Sequence, residues 1–287
     1  MVEKTINEPY DPYLTIYPSF LYPFFDYINN YKKWVKTCGY CKGAVIEFRD
    51  NTILLHNCND DKVLPYWTGL WFVPRILLYD IEPRYMGFIE NLVEKFEHIR
   101  LAISPQDPIW VFISVFLSRN TNFHTITVKW IKDIARFYEN DPTGINVLKI
   151  GRSYQLRQLK ELLGDKNLWS LIESIRSNYN NEKFCWKLRK TLISRRFIGP
   201  KTADAFLLFS TQCSLFTPAD RHYLRFTRKY FGQKLVSPNK RYCLINTCYE
   251  CPISGNCITG WSILAFGRMS GWIQTIAYLI GKKKITL

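Results

Sequence analysis

Lys201 occupies an unusual place for a lysine. It follows Pro200 in the stretch IGPKTADAFLL, where a proline at the first helical position and the apolar spacing predict a helix. The first turn of a helix carries partial positive charge, which favours carboxylates over ammonium groups. Lys201 is therefore either a solvated surface lysine or, if partly buried as well, a lysine whose pKa falls so that its neutral amine is a nucleophile.

Asp220 is the second candidate for chemistry. It follows Lys201 by nineteen residues, in FTPADRHYLRF, directly before another predicted helix. One interpretation of Asp220 is a plain N-cap. Its carboxylate could also stabilise positive charge on a reacting atom and orient the lysine. We therefore predict that Lys201 and Asp220 act as a nucleophile and its electrostatic partner.

Four cysteines in CLINTCYECPISGNC are separated by gaps of four, two and five residues. Clustered cysteines in an intracellular chain indicate a metal rather than a disulfide framework. Four thiolates in so short a loop can bind one [4Fe–4S] cluster, and tetrahedral zinc is the competing interpretation. The first two gaps also resemble those of plant-type [2Fe–2S] ferredoxins, whose fourth cysteine is distant. The predicted ligands are Cys243, Cys248, Cys251 and Cys257.

The N-terminal cysteines leave more than one interpretation open. Cys38 and Cys41 form a CxxC that could bind a second metal ion with His56 and Cys58. Because an isolated CxxC is a weak signal, unpaired thiols or an intramolecular disulfide are favoured over a second metal.

The charge balance favours a polyanionic partner. The 287 residues include 39 Lys and Arg against 24 Asp and Glu, a formal charge of +15 spread along the chain. Such an excess predicts a positive face for nucleic acid, with a merely solvated basic surface as the alternative. There is no signal-peptide pattern and no apolar run of the roughly 20 residues that a membrane span needs. We expect a monomeric, soluble, intracellular protein of the cytoplasm or nucleoid, with no membrane partner.

The elements that must position these residues are mostly helical. KGAVIEFRDNTILLHNC predicts a β-hairpin around Asp50, and helical spacing dominates from about residue 83. Asp107 and Pro108 predict the cap and first residue of a buried helix. The predicted fold class is mainly α with a small N-terminal β-containing domain. We expect a β-containing domain over 1–78, a helical core over 79–240, a cysteine loop over 241–260 and a C-terminal helix over 261–287 that packs back on the core.

Residues 197–220 resemble the helix-hairpin-helix, Gly/Pro-rich loop and aspartate signature of DNA base-excision repair glycosylases. In that family a lysine in the hairpin turn is the nucleophile and an aspartate after the loop is essential, and Lys201 and Asp220 fall on those positions. The spacing of nineteen, the KTAD run and His222 are most similar to the 8-oxoguanine DNA glycosylase/lyase branch. The backbone of such a turn, here at Gly199, is suited to bind a DNA phosphate.

Two further stretches resemble the same branch. The first is KFEHIRLAISPQDPIWVFISVFLSRNTNFHTI. Its resemblance implies that Asn120 fills the gap left in the duplex by an extruded base. The alternative is that Asn120 and Asn122 only cap and turn between two helices. GRMSGWIQTIAYLIG implies that Gln274 and Tyr278, four apart on one helix face, line the base pocket. The alternative is that this helix face belongs to the apolar core and that Gln274 is a single polar residue within it.

The sequence also departs from that branch. Phe197 stands where the first of two hairpin glycines is expected, so it either reshapes the turn or faces the DNA. No Gly-Gln-Ser-Phe type strand is visible, and Ala205 replaces a pocket cysteine. The cysteine loop is similar to that of endonuclease III and adenine glycosylase relatives, and the 8-oxoguanine branch normally lacks it. On that likeness the loop would be structural and hold Lys240 and Arg241 against the DNA backbone.

The resemblance, over about residues 80–287, implies a bifunctional DNA glycosylase/AP lyase acting on double-stranded DNA. The damaged base would be an oxidised purine such as 8-oxoguanine, and Lys201 would form a Schiff base with the deoxyribose. A pyrimidine- or mismatch-directed enzyme of the endonuclease III type is one alternative. A non-enzymatic iron–sulfur protein that binds DNA damage is another.

Overall fold

The computed structural model describes residues 2–138 and 144–287 of the chain. The chain folds into two compact units. The first consists of the residues up to Trp71 together with Leu101–Ser177, and the second of Phe72–Arg100 together with Asn178–Leu287. The division of the chain into four consecutive segments remains a prediction.

The described residues are mostly helical, and their strands all lie near the N-terminus. This confirms the predicted fold class of a mainly α protein with a small β-containing N-terminal part. The helices are α1 Pro12–Ile16, α2 Val63–Trp67, α3 Met86–Phe96, α4 Pro108–Leu117, α5 Val128–Phe137, α6 Val147–Ile150, α7 Tyr154–Leu163, α8 Lys166–Glu173, α9 Ile175–Asn178, α10 Glu182–Ser194, α11 Pro200–Ser210, α12 Arg221–Phe231, α13 Lys240–Ile245, α14 Ile258–Phe266 and α15 Ser270–Gly281. None of these described helices is both long enough and apolar enough to cross a bilayer.

The first unit contains a five-stranded antiparallel sheet in the order β1-β5-β4-β3-β2. Its strands are β1 Val2–Thr5, β2 Phe25–Ile28, β3 Lys33–Lys36, β4 Val45–Arg49 and β5 Thr52–His56. The predicted hairpin is confirmed, since β4 pairs with β5 and Arg49 lies opposite Thr52. Asp50 in the connecting turn has the positive φ, 42°, that tight hairpin turns use. Trp34 and Ile46 are fully buried and form part of this unit's core.

Asp107 precedes α4, as predicted, but its carboxylate does not cap the helix. Its Oδ2 lies 2.9 Å from the ammonium group of Lys36, and its Oδ1 accepts a hydrogen bond from the backbone N–H of Tyr40. Lys36 and Asp107 are both almost fully buried. An unpaired charge in such a place would cost several kcal/mol, so the ion pair takes precedence over the cap.

The N-terminal cysteines adopt one of the arrangements expected for them. Cys41 and Cys58 form a disulfide. Cys38 is a buried free thiol, and burial raises its pKa to about 12. Cys38 therefore stays protonated at neutral pH.

In the second unit, α15 is largely buried, and it contacts both α11 and α12. The indole N–H of Trp272 donates a hydrogen bond to the Ile99 carbonyl, 2.8 Å away. Gly271 allows the close approach of α11 and the loop after it, because a Cβ at this position would lie 2.6 Å from the Ser214 carbonyl oxygen and would collide with the side chain of Leu208. The helices that begin at Pro200 and Arg221 are thereby held against one common helix.

Candidate active site

The turn over residues 195–199 joins α10 to α11 in a helical hairpin. Phe197 in this turn has a left-handed φ of 64°, the conformation that glycine adopts without steric cost. The turn thus has the backbone that a glycine would give, with an aromatic side chain added. The Arg196 guanidinium lies 4.5 Å from the centre of the Phe197 ring. Gly199 precedes α11 with open space beside its Cα, since a Cβ there would meet nothing within 4 Å.

The left-handed backbone at Phe197 predicts an order of stability for two variants. Phe197→Gly should be more stable than Phe197→Ala by about 1 kcal/mol. A residue with a Cβ pays a steric cost of about 1–2 kcal/mol in this conformation, and glycine does not. Glycine loses more conformational entropy on folding, which offsets roughly half of that advantage. Urea unfolding of both variants measures the difference. Equal stability would mean that the turn does not hold a positive φ in solution.

Lys201 is the second residue of α11, and its side chain is exposed. The expected partial burial of Lys201 is therefore wrong for the protein alone. The reason is local: every residue from Thr202 to Ser210 is buried, whereas Lys201 lies on the open side of the first turn. Within the described residues, its side chain forms no hydrogen bond and no ion pair. The amine of Lys201 is thus accessible to a ligand.

Asp220 is half-buried, and both of its carboxylate oxygens are used. Oδ1 accepts a hydrogen bond from the Tyr223 backbone N–H at 2.7 Å, so Asp220 is the N-cap of α12, as its sequence position suggested. Oδ2 accepts a second bond, also 2.7 Å, from the side-chain amide of Gln274 on α15. These two bonds fix the orientation of the carboxylate.

Gln274 and Tyr278 lie one turn apart on α15. Gln274 is 6% exposed, and the carboxylate of Asp220 is the partner of its amide. Tyr278 is half-buried and meets the ring of His222 edge to face, with ring centres 5.6 Å apart. The structure therefore brings four of the predicted site residues together, Asp220, His222, Gln274 and Tyr278. A contact between Gln274 or Tyr278 and a nucleobase stays a prediction.

His222 lies in the first turn of α12 and packs over Gly281, where any side chain would collide with the imidazole. Burial lowers the pKa of His222, although the carboxylate of Asp220 opposes the shift. A neutral imidazole at this place can donate one hydrogen bond and accept another.

The direction of this pKa shift predicts a pH effect on stability. Between the folded pKa of His222 and its ordinary value of about 6.5, the unfolded chain binds more protons than the folded one. The free energy of unfolding should therefore fall as the pH drops from 7 through this window. NMR titration of the His222 ring should give a midpoint below 6.5, and His222→Gln should remove this part of the pH dependence. A midpoint above 6.5 would contradict the assignment.

Asn120 belongs to the first unit and lies in the turn after α4. It has a left-handed φ of 53°, which asparagine tolerates better than most residues, and it is exposed. Its side-chain amide donates a hydrogen bond to the Tyr154 hydroxyl at 3.0 Å. The side chain of Asn122 makes no capping bond to the helical turn that follows it.

The cysteine loop touches the hairpin at its turn. Lys240, the first residue of α13, donates hydrogen bonds to the carbonyl oxygens of Arg195 and Ile198, both at 3.2 Å. The expected role of Lys240 against a DNA backbone stays a prediction, but its ammonium group already ties the cysteine loop to the residues that precede Lys201.

The four predicted cysteine ligands line a single cavity, together with Arg189. Burial raises the pKa of Cys243, Cys248 and Cys257, and the guanidinium of Arg189 opposes each of these shifts. No group of three or more His, Cys, Asp or Glu in the described part of the chain has the geometry of a metal-ion site. A single zinc ion needs its sulfur ligands about 2.3 Å from one point, whereas a [4Fe–4S] cluster takes one thiolate at each of four irons.

Sequence reasoning missed Arg189 and Asp204. Arg189 on α10 and Asp204 on α11 are both buried, and the guanidinium forms two hydrogen bonds to the carboxylate, one of them 3.1 Å from Nη2 to Oδ2. The available signal was a charged residue at an apolar position of each predicted helix. It did not identify the partners, because the two residues lie in different helices.

The chain matches no protein-family model and no curated protein at the level of sequence. Solved structures do match. An 8-oxoguanine glycosylase/lyase from Clostridium acetobutylicum, crystallised with double-stranded DNA containing cytosine opposite 8-oxoguanine, is 14% identical, with a TM-score of 0.68 over 99% of this chain and 98% of that one. A 3-methyladenine DNA glycosylase from Archaeoglobus fulgidus is 13% identical, with a TM-score of 0.67 over the whole of both chains. At this identity the likeness concerns the fold.

Proposed function

We propose that this chain, which has the fold of the helix-hairpin-helix DNA glycosylases, is a bifunctional DNA glycosylase/AP lyase. One observation carries the proposal above all: within this fold, an exposed lysine without a partner among the described residues lies in the first turn of the second helix of the hairpin. A structural lysine would be expected to pair with a carboxylate. Lys201 has no such partner among the described residues, so its amine is free to act on a bound substrate.

The proposed chemistry starts from the neutral amine. Nζ of Lys201 forms a bond to C1′ of the deoxyribose while the bond from C1′ to the base breaks, and the base leaves with the electron pair and takes up a proton. Loss of the amine protons and opening of the sugar ring give a Schiff base. Removal of a proton from C2′ then expels the 3′ phosphate by β-elimination. Asp220, fixed by Tyr223 and Gln274, stabilises the positive charge that develops on the sugar.

Double-stranded DNA is the proposed partner. The net charge of +15 supports binding to a polyanion, and the open backbone at Gly199 leaves room for a phosphate at the N-terminus of α11. Along α12 the exposed residues Arg221, Arg225 and Arg228 lie on one helix face and add positive charge near His222. The exposed amide of Asn120 would fill the gap in the duplex once the target base is extruded.

For the target base we propose an oxidised purine, with 8-oxoguanine first. Gln274 and Tyr278 support a pocket in which an amide bonds the base edge and a ring stacks on its face. To contact a base, the Gln274 amide must use its oxygen or its second N–H, since one N–H is bonded to Asp220. The cysteine loop favours a second candidate, an enzyme for damaged pyrimidines or mismatches.

We further propose that the cysteine cavity holds a [4Fe–4S] cluster. The donor set fits, with four thiols on one cavity and a buried guanidinium to balance the negative charge of thiolates and cluster. When bound, such a cluster would cross-link the loop and so stabilise its contact with the hairpin. Iron and acid-labile sulfide measured in protein purified without oxygen test the assignment, and zinc without sulfide would replace it with the zinc alternative.

A panel of lesion duplexes tests the enzyme and its substrate together. The protein is incubated with duplexes containing 8-oxoguanine, an oxidised pyrimidine, a mismatch or no lesion, in the presence of borohydride, which reduces a Schiff base to a stable adduct. We expect the strongest adduct with 8-oxoguanine. A preference for the pyrimidine or the mismatch would favour the second candidate. Binding without an adduct for any duplex would overturn the lyase in favour of a damage-binding protein.

We also propose an intracellular location, because the substrate is DNA, and a monomer, because one chain carries every residue of the proposed chemistry. Light scattering of the protein bound to a lesion duplex measures the stoichiometry, and we expect one chain per lesion.

A further inference from the structure

Arg189 is a buried cation with part of its hydrogen-bonding capacity unused. Its side chain is 1% exposed, and Nε and Nη2 both bond to the carboxylate of Asp204. Nη2 also lies 3.7 Å from the sulfur of Cys243. Nη1 has no hydrogen-bond partner, although it is buried.

An unpartnered N–H in such a place requires an explanation. Leaving a buried donor unpaired costs about 1–3 kcal/mol, and more for a charged group, so folded proteins rarely do so. Arg189 lines the cavity that the four cysteines share, and its Nη2 already lies within reach of one of their sulfur atoms. The orphaned N–H therefore indicates an acceptor that occupies this cavity in the functional protein.

We propose that Arg189 is a positioning residue that donates hydrogen bonds from its buried, partly unpaired guanidinium to the sulfur atoms of the cysteine-bound cluster, while Asp204 links it to the helix that carries Lys201. This inference rests on the [4Fe–4S] cluster proposed above. A guanidinium can fill this role because its planar group has several N–H donors, so that some can donate to a carboxylate on one side while others donate to sulfur atoms on the other.

The pair connects the cysteine loop to the hairpin on the inside of the second unit. Asp204 is completely buried and lies three residues after Lys201, so it is about one turn further along α11. On the outside, Lys240 bonds to the carbonyls of Arg195 and Ile198 in the turn. The loop thus holds the start of α11 at two places, and loss of the cluster should loosen the helix that presents the amine.

A purely structural ion pair between α10 and α11 is the competing explanation, and a double variant separates the two. Arg189→Met with Asp204→Leu removes both charges together, and buried ion pairs replaced by apolar side chains of similar size often retain stability. The double variant therefore keeps the helices packed while it removes the donor to sulfur. Lys190→Met is the matched control, since Lys190 is the next residue on α10 and bonds to the loop from outside, at the Ile245 carbonyl, 2.7 Å away.

The test measures the cluster itself. In protein reconstituted without oxygen, iron loss to a chelator is followed by absorbance, and the reduction potential is measured by voltammetry. We expect the double variant to lose iron about tenfold faster than the parent, the usual scale when a partner of a metal ligand is removed. Its potential should also become more negative, since hydrogen bonds to the sulfurs stabilise the reduced cluster. Lys190→Met should match the parent in both.

The outcomes separate this inference from the proposed enzyme activity. Parent-like iron loss and potential in the double variant would overturn the role of Arg189, and so would a parent protein that binds no iron. Either result leaves the borohydride adduct of Lys201 untouched. Faster iron loss in a protein that traps no lesion duplex would support Arg189 and overturn the lyase. If the double variant does not fold, Arg189→Lys replaces it in the test. This substitution keeps the positive charge but removes the planar guanidinium, so the Arg189→Lys protein should lose iron faster than the parent.

Discussion

Lys201→Gln is expected to abolish the borohydride-trapped adduct and strand nicking while the protein still folds and binds a lesion duplex. The amine is the proposed nucleophile, and an amide nitrogen cannot form a Schiff base. Loss of a covalent nucleophile lowers turnover by at least about 10³-fold in enzymes where it has been measured. The exposed position of Lys201 means that the substitution removes no buried contact. Denaturing gels measure the adduct, and thermal melting measures the fold.

The control for this experiment is Lys187→Gln, which changes an exposed lysine on α10, the other helix of the hairpin. It makes the same change in net charge, so it accounts for any general loss of attraction to DNA. We expect it to trap DNA as the parent does. An adduct in Lys201→Gln at the parental level would mean that another amine is the nucleophile.

Asp220→Asn is expected to lower the rate of base release by about 10²–10³-fold, the scale for removal of one group that stabilises developing charge. Stability should change little, because asparagine is as good an N-cap as aspartate and can still accept from the Tyr223 N–H. The amide of Gln274 would reverse its orientation, so that its oxygen faces the new amide nitrogen. Single-turnover kinetics on the preferred duplex measures the effect.

Asp220→Ala separates the two roles of this residue. It removes both the charge and the cap, so it should lose a similar factor in rate and, in addition, about 1 kcal/mol of stability relative to Asp220→Asn. Urea unfolding measures that difference. If Asp220→Asn kept the parental rate, Asp220 would be only a helix cap, and the proposed stabilisation of the sugar cation would be wrong.

Local sequence signals were sufficient to predict the helices and the hairpin that begin or turn at a capping residue, a proline or a turn residue. Pro200 and Asp220 marked the starts of α11 and α12, and the turn at Asp50 marked the β-hairpin, because caps and turns depend on side chains within about four residues. Asp107 shows the limit of this reasoning. Its place before α4 was predicted, but its carboxylate bonds to Lys36, seventy-one residues away in the chain, and no local pattern carries that information.

At Phe197, too, the sequence predicted part of the local structure and the tertiary structure decided the rest. The sequence identified a phenylalanine where the hairpin usually has glycine, but it could not decide whether the turn changes shape. In the tertiary structure Phe197 has the left-handed φ of 64° in spite of its side chain, in a turn between two helices that pack against each other. The exposure of Lys201 and the bond from Gln274 to Asp220 likewise depend on how α11, α12 and α15 pack.

The sequence alone determined which residues can do chemistry, namely an amine at a helix start, a capping carboxylate and four clustered thiols, and it determined the helices and the hairpin that present them. Only the tertiary structure decided which of these groups are paired and which are free. Buried charges must find partners wherever the fold brings them, as Arg189 and Asp204 do across two helices, and the cost of an unpaired charge depends on surroundings that no stretch of sequence contains.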